Sequence, residues 1–142
     1  LMEGNRAKVQ AANVTFAEAD LTQPWPVADS SADLVVCNLV LEHIEDLHFI
    51  LAEAGRVLTP GGRFFICELH PFRQYAGTVA NFQRAAGAVQ IDAYVHHISD
   101  FLAAAAASGF ALASLREWWH AEDEGKPPRL VSFVFEKTGA TA

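Results

Sequence analysis

The sequence lacks two features that mark nucleic-acid-binding and membrane-spanning chains, namely clustered positive charge and a long apolar run. Its 142 residues carry a net charge of −7, and no run of lysine and arginine appears in them. Because phosphate binding needs clustered basic side chains, we expect no nucleic-acid partner. No apolar stretch approaches the roughly 20 residues that span a bilayer, so we expect no membrane partner. We also see no signal peptide, and these absences together predict a cytoplasmic protein.

Cysteine is scarce as well. Cys37 and Cys67 are the two cysteines, and both lie inside apolar runs. This setting predicts buried, reduced thiols, because a disulfide or a zinc site would need partners that the sequence does not show. We therefore expect no metal. Hydrophobic residues make up 51% of the chain, which excludes a disordered protein and predicts one domain over residues 1–142 with a single core.

The remaining pattern is that of an α/β domain. Apolar and alternating runs predict strands at 13–20, Leu34–Cys37, 63–69, 111–119 and 130–137. Helical spacing predicts one helix over Leu47–Leu58, capped by Asp46 and stopped by "TPGG", and a second that Ser99 caps and Gly109 stops. The order strand, helix, strand implies a parallel crossover, and the last two strands predict an antiparallel pair. "AVQIDAYV", residues 88–95, fits either an extended segment or a cap over a pocket.

Polar side chains stand where three of these strands end. Asp20 closes the first strand, Asn38 follows the second, and Glu68 and His70 follow the third. Each has a plain structural explanation, such as a turn cap, a partner for loop backbone or a rigid exit before a proline. In an open parallel sheet, however, ligands bind beyond the carboxyl ends of the strands. The shared position of these residues therefore predicts a ligand crevice at one edge of the sheet.

An ordered set of motifs over residues 13 to 137 carries a family resemblance. The set comprises "EADL", "PWP", "SADLVV", "LVLEHI", "RVLTPGGRF" and "ELHP". In this order the motifs resemble the middle of a class I S-adenosylmethionine-dependent methyltransferase of the small-molecule type. The resemblance implies a Rossmann-like, mostly parallel sheet with flanking helices, in the strand order 3-2-1-4-5-7-6. It also implies methyl transfer from S-adenosylmethionine to a small-molecule acceptor by in-line displacement, with positioning as the main catalytic device.

The resemblance also assigns roles to residues. Asp20 would accept a hydrogen bond from the adenine amino group of the cofactor, and the backbone N–H of Leu21 would face the same ring edge. The backbone around Asn38 and Leu39 would hold the amino group of the methionine moiety. His43 would lie just beyond, near the cofactor or the acceptor, or would instead be a helix-entry histidine bonded to backbone.

Contacts to the methyl acceptor are assigned more weakly. Glu68, His70 and His97 are the candidates, and the sequence favours no residue as the catalytic base.

One departure from the family is large. The glycine-rich loop of the E-x-G-x-G-x-G kind is missing, so we expect an N-terminally incomplete fold that corresponds to the C-terminal portion of a complete member. Loss of family strands 1 and 2 would bare the edge of Leu34–Cys37, and a bare hydrophobic edge recruits other chains. We therefore expect pairing with a second copy or rearrangement of residues 1–20.

Two other functions compete with methyl transfer. One is a non-catalytic remnant that acts as a binding or assembly module. The other, a nicotinamide-dependent enzyme, lacks support because no G-x-G-x-x-G follows a strand.

Overall fold

A four-stranded mixed sheet organises the chain. The computed structural model describes residues 9–75 and 93–139. The strands are β1 (Ala32–Asn38), β2 (Leu58–Leu69), β3 (Phe110–Trp118) and β4 (Leu130–Lys137), in the order β1-β2-β4-β3. Most of the segment "AVQIDAYV" falls within residues 76–92 and lies outside the described residues.

The strand pairing confirms the α/β class and part of the expected strand order. β1 runs parallel to β2, with Val35 opposite Phe64, whereas β4 is antiparallel to both β2 and β3. The observed order matches the 4-5-7-6 section of the family order. The parallel character therefore rests on the β1–β2 pair, and the antiparallel pair near the C-terminus is confirmed.

Three helices accompany the sheet within residues 9–75 and 93–139. They are α1 (Leu47–Val57), α2 (Pro71–Tyr75) and α3 (Ile98–Ala107), with two short 3-10 turns at Leu41–His43 and Ala121–Asp123. Asp46 caps α1 as predicted, because its carboxylate accepts a hydrogen bond of 3.1 Å from the backbone N–H of Phe49. The predicted cap of the later helix is wrong. That helix begins one residue earlier than Ser99, and Asp100 reaches back to accept a hydrogen bond from the backbone N–H of His97.

The core lies on one face of the sheet. α1 and α3 contribute Leu47, Ile50, Leu51, Ala54, Phe101, Ala104 and Ala105 to it, and β2 and β4 contribute Phe64, Ile66, Val131, Phe133 and Phe135. Phe101 stacks on Phe133 with 4.8 Å between ring centroids, and Phe133 stacks on Phe135 at 5.5 Å. Burial of these aromatic and aliphatic side chains is the main source of stability of the described part of the fold.

The opposite face of β1 is open. Leu34 and Val36 alternate with the core-facing residues of this strand, and each side chain is 59% exposed. An apolar run such as Leu34–Cys37 is typical of a strand buried on both faces, but this strand is covered on one face only. The reason is that α1 and α3 both pack on the other face, so only one side of β1 is covered by these helices.

The predicted strand at 13–20 is also wrong, because the structure assigns no strand to these residues. A strand needs a neighbour to pair its backbone N–H and C=O groups. In the family order, that neighbour is strand 2, which the described residues do not include. Asp20 consequently lies in a loop and does not close a strand.

A matched pair of alanine substitutions tests the one-sided burial. Val36→Ala should lower the free energy of unfolding by less than about 1 kcal/mol, because the side chain faces solvent. The same change at Val131, which is 0% exposed in the middle of the sheet, should cost about 2–3 kcal/mol by opening a cavity. Urea denaturation measures both values, and equal losses would mean that the outer face of β1 is covered.

Candidate functional site

The chain reverses sharply where β1 ends. Asn38 is the last residue of the strand, and Leu39 follows with φ at +55°. This left-handed conformation is unfavourable for a leucine and persists only where neighbouring groups hold it. The backbone N–H of Leu39 donates to the carbonyl of Cys67 at 2.9 Å. Asn38 and Leu39 therefore lie beside the end of β2, as the strand-end hypothesis requires.

Glu68, near the end of β2, holds the turn that follows. Its two carboxylate oxygens accept hydrogen bonds from the backbone N–H groups of Val40 and Leu41, each at 3.1 Å. The residue is only 4% exposed. Burial raises the pKa of this carboxyl to about 7, and the backbone hydrogen bonds oppose that rise. Glu68 is thus a buried group that changes charge near neutral pH.

His96 holds the same turn from the opposite side. Its Nε2 lies 3.0 Å from the carbonyl oxygen of Leu41 and 2.6 Å from that of Ile44, so Nε2–H is the donor to both. The backbone N–H of Tyr94 donates to the carbonyl of Glu42 at 2.7 Å. These contacts tie the segment before α3 to the turn after β1. A small hollow of about 10 Å³, room for roughly one water molecule, lies between them, lined by Glu42, Glu68, Leu69, Gln74, Tyr94, His96 and Phe101.

Asp20 lies in an exposed turn of its own. Its Oδ1 accepts from both the backbone N–H of Thr22, at 2.9 Å, and the hydroxyl of Thr22, at 2.7 Å. These bonds lower the pKa of the Asp20 carboxyl, so it is ionised at neutral pH. Leu21 is half-buried, and its carbonyl accepts from the indole N–H of Trp25 at 3.0 Å. No hydrogen bond or ion pair within the described ranges joins Asp20 to Asn38.

A buried carboxylate fixes the loop that carries Asp20 and Leu21 against α1. Glu53 accepts from the backbone N–H of Trp25 at 3.1 Å and from Arg56 Nε at 2.5 Å. Arg56 in turn donates to the carbonyl of Trp25 and, at 2.7 Å each, to the carbonyl of Val27 and the carboxylate of Asp29. The loop is therefore positioned by Glu53 and Arg56, two residues of α1 that do not belong to its apolar stripe.

The three histidines predicted for the site differ in their surroundings. His43 is exposed and lies 3.6 Å from Glu42, and its backbone N–H donates to Val40. His70 is buried, and its Nδ1 accepts from the backbone N–H of Phe72 at 3.1 Å. Its Nε2–H therefore donates to Glu117 at 2.7 Å, which leaves neither ring nitrogen of His70 available to a substrate. His97 is exposed at the start of α3.

A row of rings connects His70 to His97. Ring centroids are 6.4 Å apart between His70 and Phe72, 6.4 Å between Phe72 and Tyr75, and 5.5 Å between Tyr75 and His97. The hydroxyl of Tyr75 also forms a hydrogen bond with Nδ1 of His97. Phe72 is 53% exposed and Tyr75 58%, so the row presents aromatic surface to solvent beyond the end of β2.

The prediction did not include three residues that the structure makes important here. The sequence pointed to His97, whereas its neighbour His96 faces the turn. The sequence places Glu117 in a predicted strand and gives it no further role, yet it fixes the tautomer of His70. Asp123 lies in a charged stretch, "HAEDEGKPPR", whose composition is typical of a solvated loop, but it is 2% exposed and ion-paired with Arg73 at 3.2 Å and Arg129 at 2.9 Å. Only the adjacent pair "HH" gave a signal in the sequence.

The thiols and the remaining polar groups suggest no metal centre in the described part of the chain. There, no cluster of three or more histidine, cysteine, aspartate or glutamate side chains could hold a metal ion. Both cysteines are free, and burial, followed by the nearby charge of Glu68, raises the pKa of Cys37 to about 12. None of the helices in residues 9–75 and 93–139 is long and apolar enough to cross a membrane.

Comparison with known proteins gives this site a context. Residues 2–66 match the family model described as "Methyltransferase domain". The chain is 52% identical over 42 residues to the thiol S-methyltransferase TMT1A of Homo sapiens, which covers 30% of this chain and 17% of that protein. It is 26% identical over 140 residues to a demethylmenaquinone methyltransferase of Tropheryma whipplei, covering 95% of this chain and 50% of that protein. The chain thus spans about half the length, or less, of these curated relatives.

Solved structures agree on the fold. An S-adenosylmethionine-dependent methyltransferase of Mesorhizobium loti superposes with a TM-score of 0.77 at 20% identity, covering 92% of this chain and 73% of that one. The chain therefore shares the fold of class I methyltransferases. A geranyl diphosphate C-methyltransferase of Streptomyces coelicolor A3(2), solved with S-adenosyl-L-homocysteine, superposes with a TM-score of 0.62 at 13% identity, covering 84% and 51%. S-adenosylmethionine is the cofactor named for the Mesorhizobium loti protein.

The donor and acceptor groups of this domain fit part of that cofactor. Asp20 offers an ionised oxygen acceptor in an exposed turn, which suits an adenine amino group. Leu39, in the left-handed turn, and Asn38 beside it are both exposed, and the acidic Glu42 lies on the same turn, which suits a positively charged amino group. These residues would suit the two ends of such a cofactor, and the described residues include no glycine-rich segment for its middle.

The titration of Glu68 makes a prediction about stability. Its folded-state pKa of about 7 lies above the ordinary value of 4.5, so its contribution is fully present below pH 4.5 and is lost as the pH rises through 7. Between pH 5 and 8 the free energy of unfolding of the wild type should fall, relative to Glu68→Gln, by up to about 3 kcal/mol. Urea titrations at several pH values measure the difference, with the exposed Glu136→Gln as control. Parallel pH profiles for wild type and Glu68→Gln would contradict the assignment.

Proposed function

We propose that the protein transfers a methyl group from S-adenosylmethionine to a small-molecule acceptor at the strand-end site. One observation carries the proposal: the turn that follows β1 is held beside the end of β2 with Leu39 in a strained backbone conformation, and a row of exposed aromatic rings follows the end of β2. Strain of this kind persists where the surrounding structure fixes it, and it is concentrated at functional sites. The match of residues 2–66 to a methyltransferase domain supports the same proposal.

The residues of the chain would act mainly by positioning. When bound, S-adenosylmethionine supplies an activated methyl group on a sulfonium, so the protein needs to supply orientation and shelter. Asp20 would accept a hydrogen bond from the adenine amino group, and the N–H of Leu21 would face the same ring edge. The backbone at Asn38 and Leu39 would hold the methionine end, with the exposed His43 next to it.

The acceptor is proposed to lie along the row of rings. Phe72 and Tyr75 offer apolar surface, and His97 offers an exposed imidazole at the end of the row. Glu68 and His70, which we also expected near the acceptor, are both buried and both use their polar atoms within the protein. The names of the relatives, a thiol methyltransferase and a quinone methyltransferase, support a small molecule as acceptor. We name no general base.

Cofactor binding tests the proposal directly. The wild-type chain should bind S-adenosylmethionine in calorimetry, and Asp20→Asn should weaken that binding about tenfold or more by removing a charged acceptor. The control is Asp33→Asn, which changes another exposed aspartate that accepts from a threonine hydroxyl, that of Thr59, but lies near the start of β1 and should leave binding unchanged. Absence of binding by the wild type at millimolar cofactor would contradict methyl transfer by this chain. Equal binding by Asp20→Asn would remove Asp20 from the site.

A second candidate function is that of a non-catalytic binding or assembly module. The open face of β1, where Leu34 and Val36 are exposed, favours it, because exposed apolar strands at a sheet edge pair with other chains. We propose a second copy of this chain as the partner. The cytoplasmic location and the single-domain organisation also stay predictions from the sequence.

The proposed self-association has a simple test. Sedimentation equilibrium should find a species of twice the 15.4 kDa chain mass at high protein concentration, and Val36→Lys should reduce it to the monomer. Leu112→Lys is the matched control, because Leu112 is also exposed on a strand but lies on β3, at the other edge of the sheet. A wild-type monomer at every concentration would exclude the dimer.

A further inference from the structure

The turn at residues 39–44 is bonded from two sides by side chains that lie far away in the sequence. Glu68, on β2, accepts from the N–H groups of Val40 and Leu41, at the start of the turn. His96, before α3, donates to the carbonyls of Leu41 and Ile44, at its end. Four backbone groups of the turn are therefore bonded by these two side chains, a carboxyl on one side and an imidazole on the other.

Both side chains are committed to this turn and not to solvent. Glu68 is 4% exposed, and each of its oxygens already accepts one backbone N–H. His96 is half-buried, and its Nε2–H is shared between two carbonyls. A ligand at the end of β1 would therefore meet the backbone of Leu39 and not the side chain that fixes it.

We propose that Glu68 and His96 are positioning residues, which clamp the turn at 39–44 so that the backbone of Leu39 is presented to the ligand. The inference rests on the proposed function for the ligand, S-adenosylmethionine. It goes beyond that function because it makes the shape of the binding turn depend on the charge of one buried carboxyl. When Glu68 takes up a proton, one of its oxygens becomes a hydroxyl donor that faces a backbone N–H, and one of the two bonds is weakened.

Several groups face Glu68 and set the pH at which this change occurs. They are Glu42 on the turn, Tyr94 and His96 before α3, Cys37 on β1 and Cys67 on β2. Glu42 is the one whose negative charge raises the pKa of Glu68, after the larger effect of burial. The pair formed by His70 and Glu117 lies beyond the end of the same strand. Burial raises the pKa of both thiols, so they stay protonated, and Glu42 is the neighbour whose negative charge acts on Glu68.

The first measurement follows the backbone of the turn as the pH changes, without any ligand. Backbone amide signals of Val40 and Leu41 in the full chain should shift with pH around a midpoint of about 7. In Glu68→Gln this shift should disappear. In the control Glu42→Gln the turn should keep both bonds, and the midpoint should move to lower pH because a neighbouring negative charge is gone. His96→Leu removes the second half of the clamp and should increase the hydrogen exchange of the same two amides.

The second measurement is of binding, with S-adenosylmethionine as the probe. Wild-type affinity in calorimetry should be about fivefold to tenfold tighter at pH 8 than at pH 6, and Glu68→Gln should bind more weakly and with no such pH dependence. A merely structural role of Glu68 would lower stability without moving the pH profile of binding. Glu68→Asp, which keeps the charge on a shorter side chain, should retain the pH dependence in part.

The outcomes separate the inference from the function on which it rests. Amides of Val40 and Leu41 that do not titrate, or a wild-type affinity that is the same at both pH values, would overturn the inference even if the cofactor binds. Failure of the wild type to bind S-adenosylmethionine at any pH would overturn the proposed function instead, and the amide titration would still report on the clamp.

Discussion

The hydrogen bonds between Glu68 and the backbone of Val40 and Leu41 are the constraint on which the site depends. They join the ends of the two parallel strands and compensate for the unfavourable backbone conformation of Leu39. A buried carboxylate is costly to ionise, so its presence here is hard to explain by stability alone. The free-energy cost of ionising Glu68 is offset because its charge stabilises a backbone conformation at Leu39 that the fold would otherwise not adopt.

The sheet divides the molecule into a stabilising side and an open side. On the covered face, α1 and α3 pack against stacked phenylalanines, and Phe101, Phe133 and Phe135 form its centre. On the other face, Leu34 and Val36 meet solvent. This asymmetry arises because α1 and α3, among the described helices, both pack on the same face of the sheet.

The sequence predicted most of the elements because they depend on local patterns. The stripe of Leu47–Leu58, its cap Asp46 and the apolar run of β1 each specify their own structure. The errors arose where distant partners decide the outcome. Residues 13–20 alternate like a strand but have no described strand to pair with. His96 and His97 are adjacent in the sequence, and only the position of the turn, to which His96 is bonded, tells their roles apart. The hydrogen bond that occupies His70 depends on Glu117, which lies 47 residues further along the chain.

β1 lies at the end of the order β1-β2-β4-β3, so its local stability differs from the stability of the whole fold. Among the described strands it is hydrogen-bonded only to β2, and its outward side chains are in water. It can therefore loosen while the aromatic centre stays intact, and the turn at 39–44 would loosen with it. Substitutions in the phenylalanine stack would therefore lower the stability of the folded protein. Substitutions around β1 would instead change ligand binding while the protein stays folded.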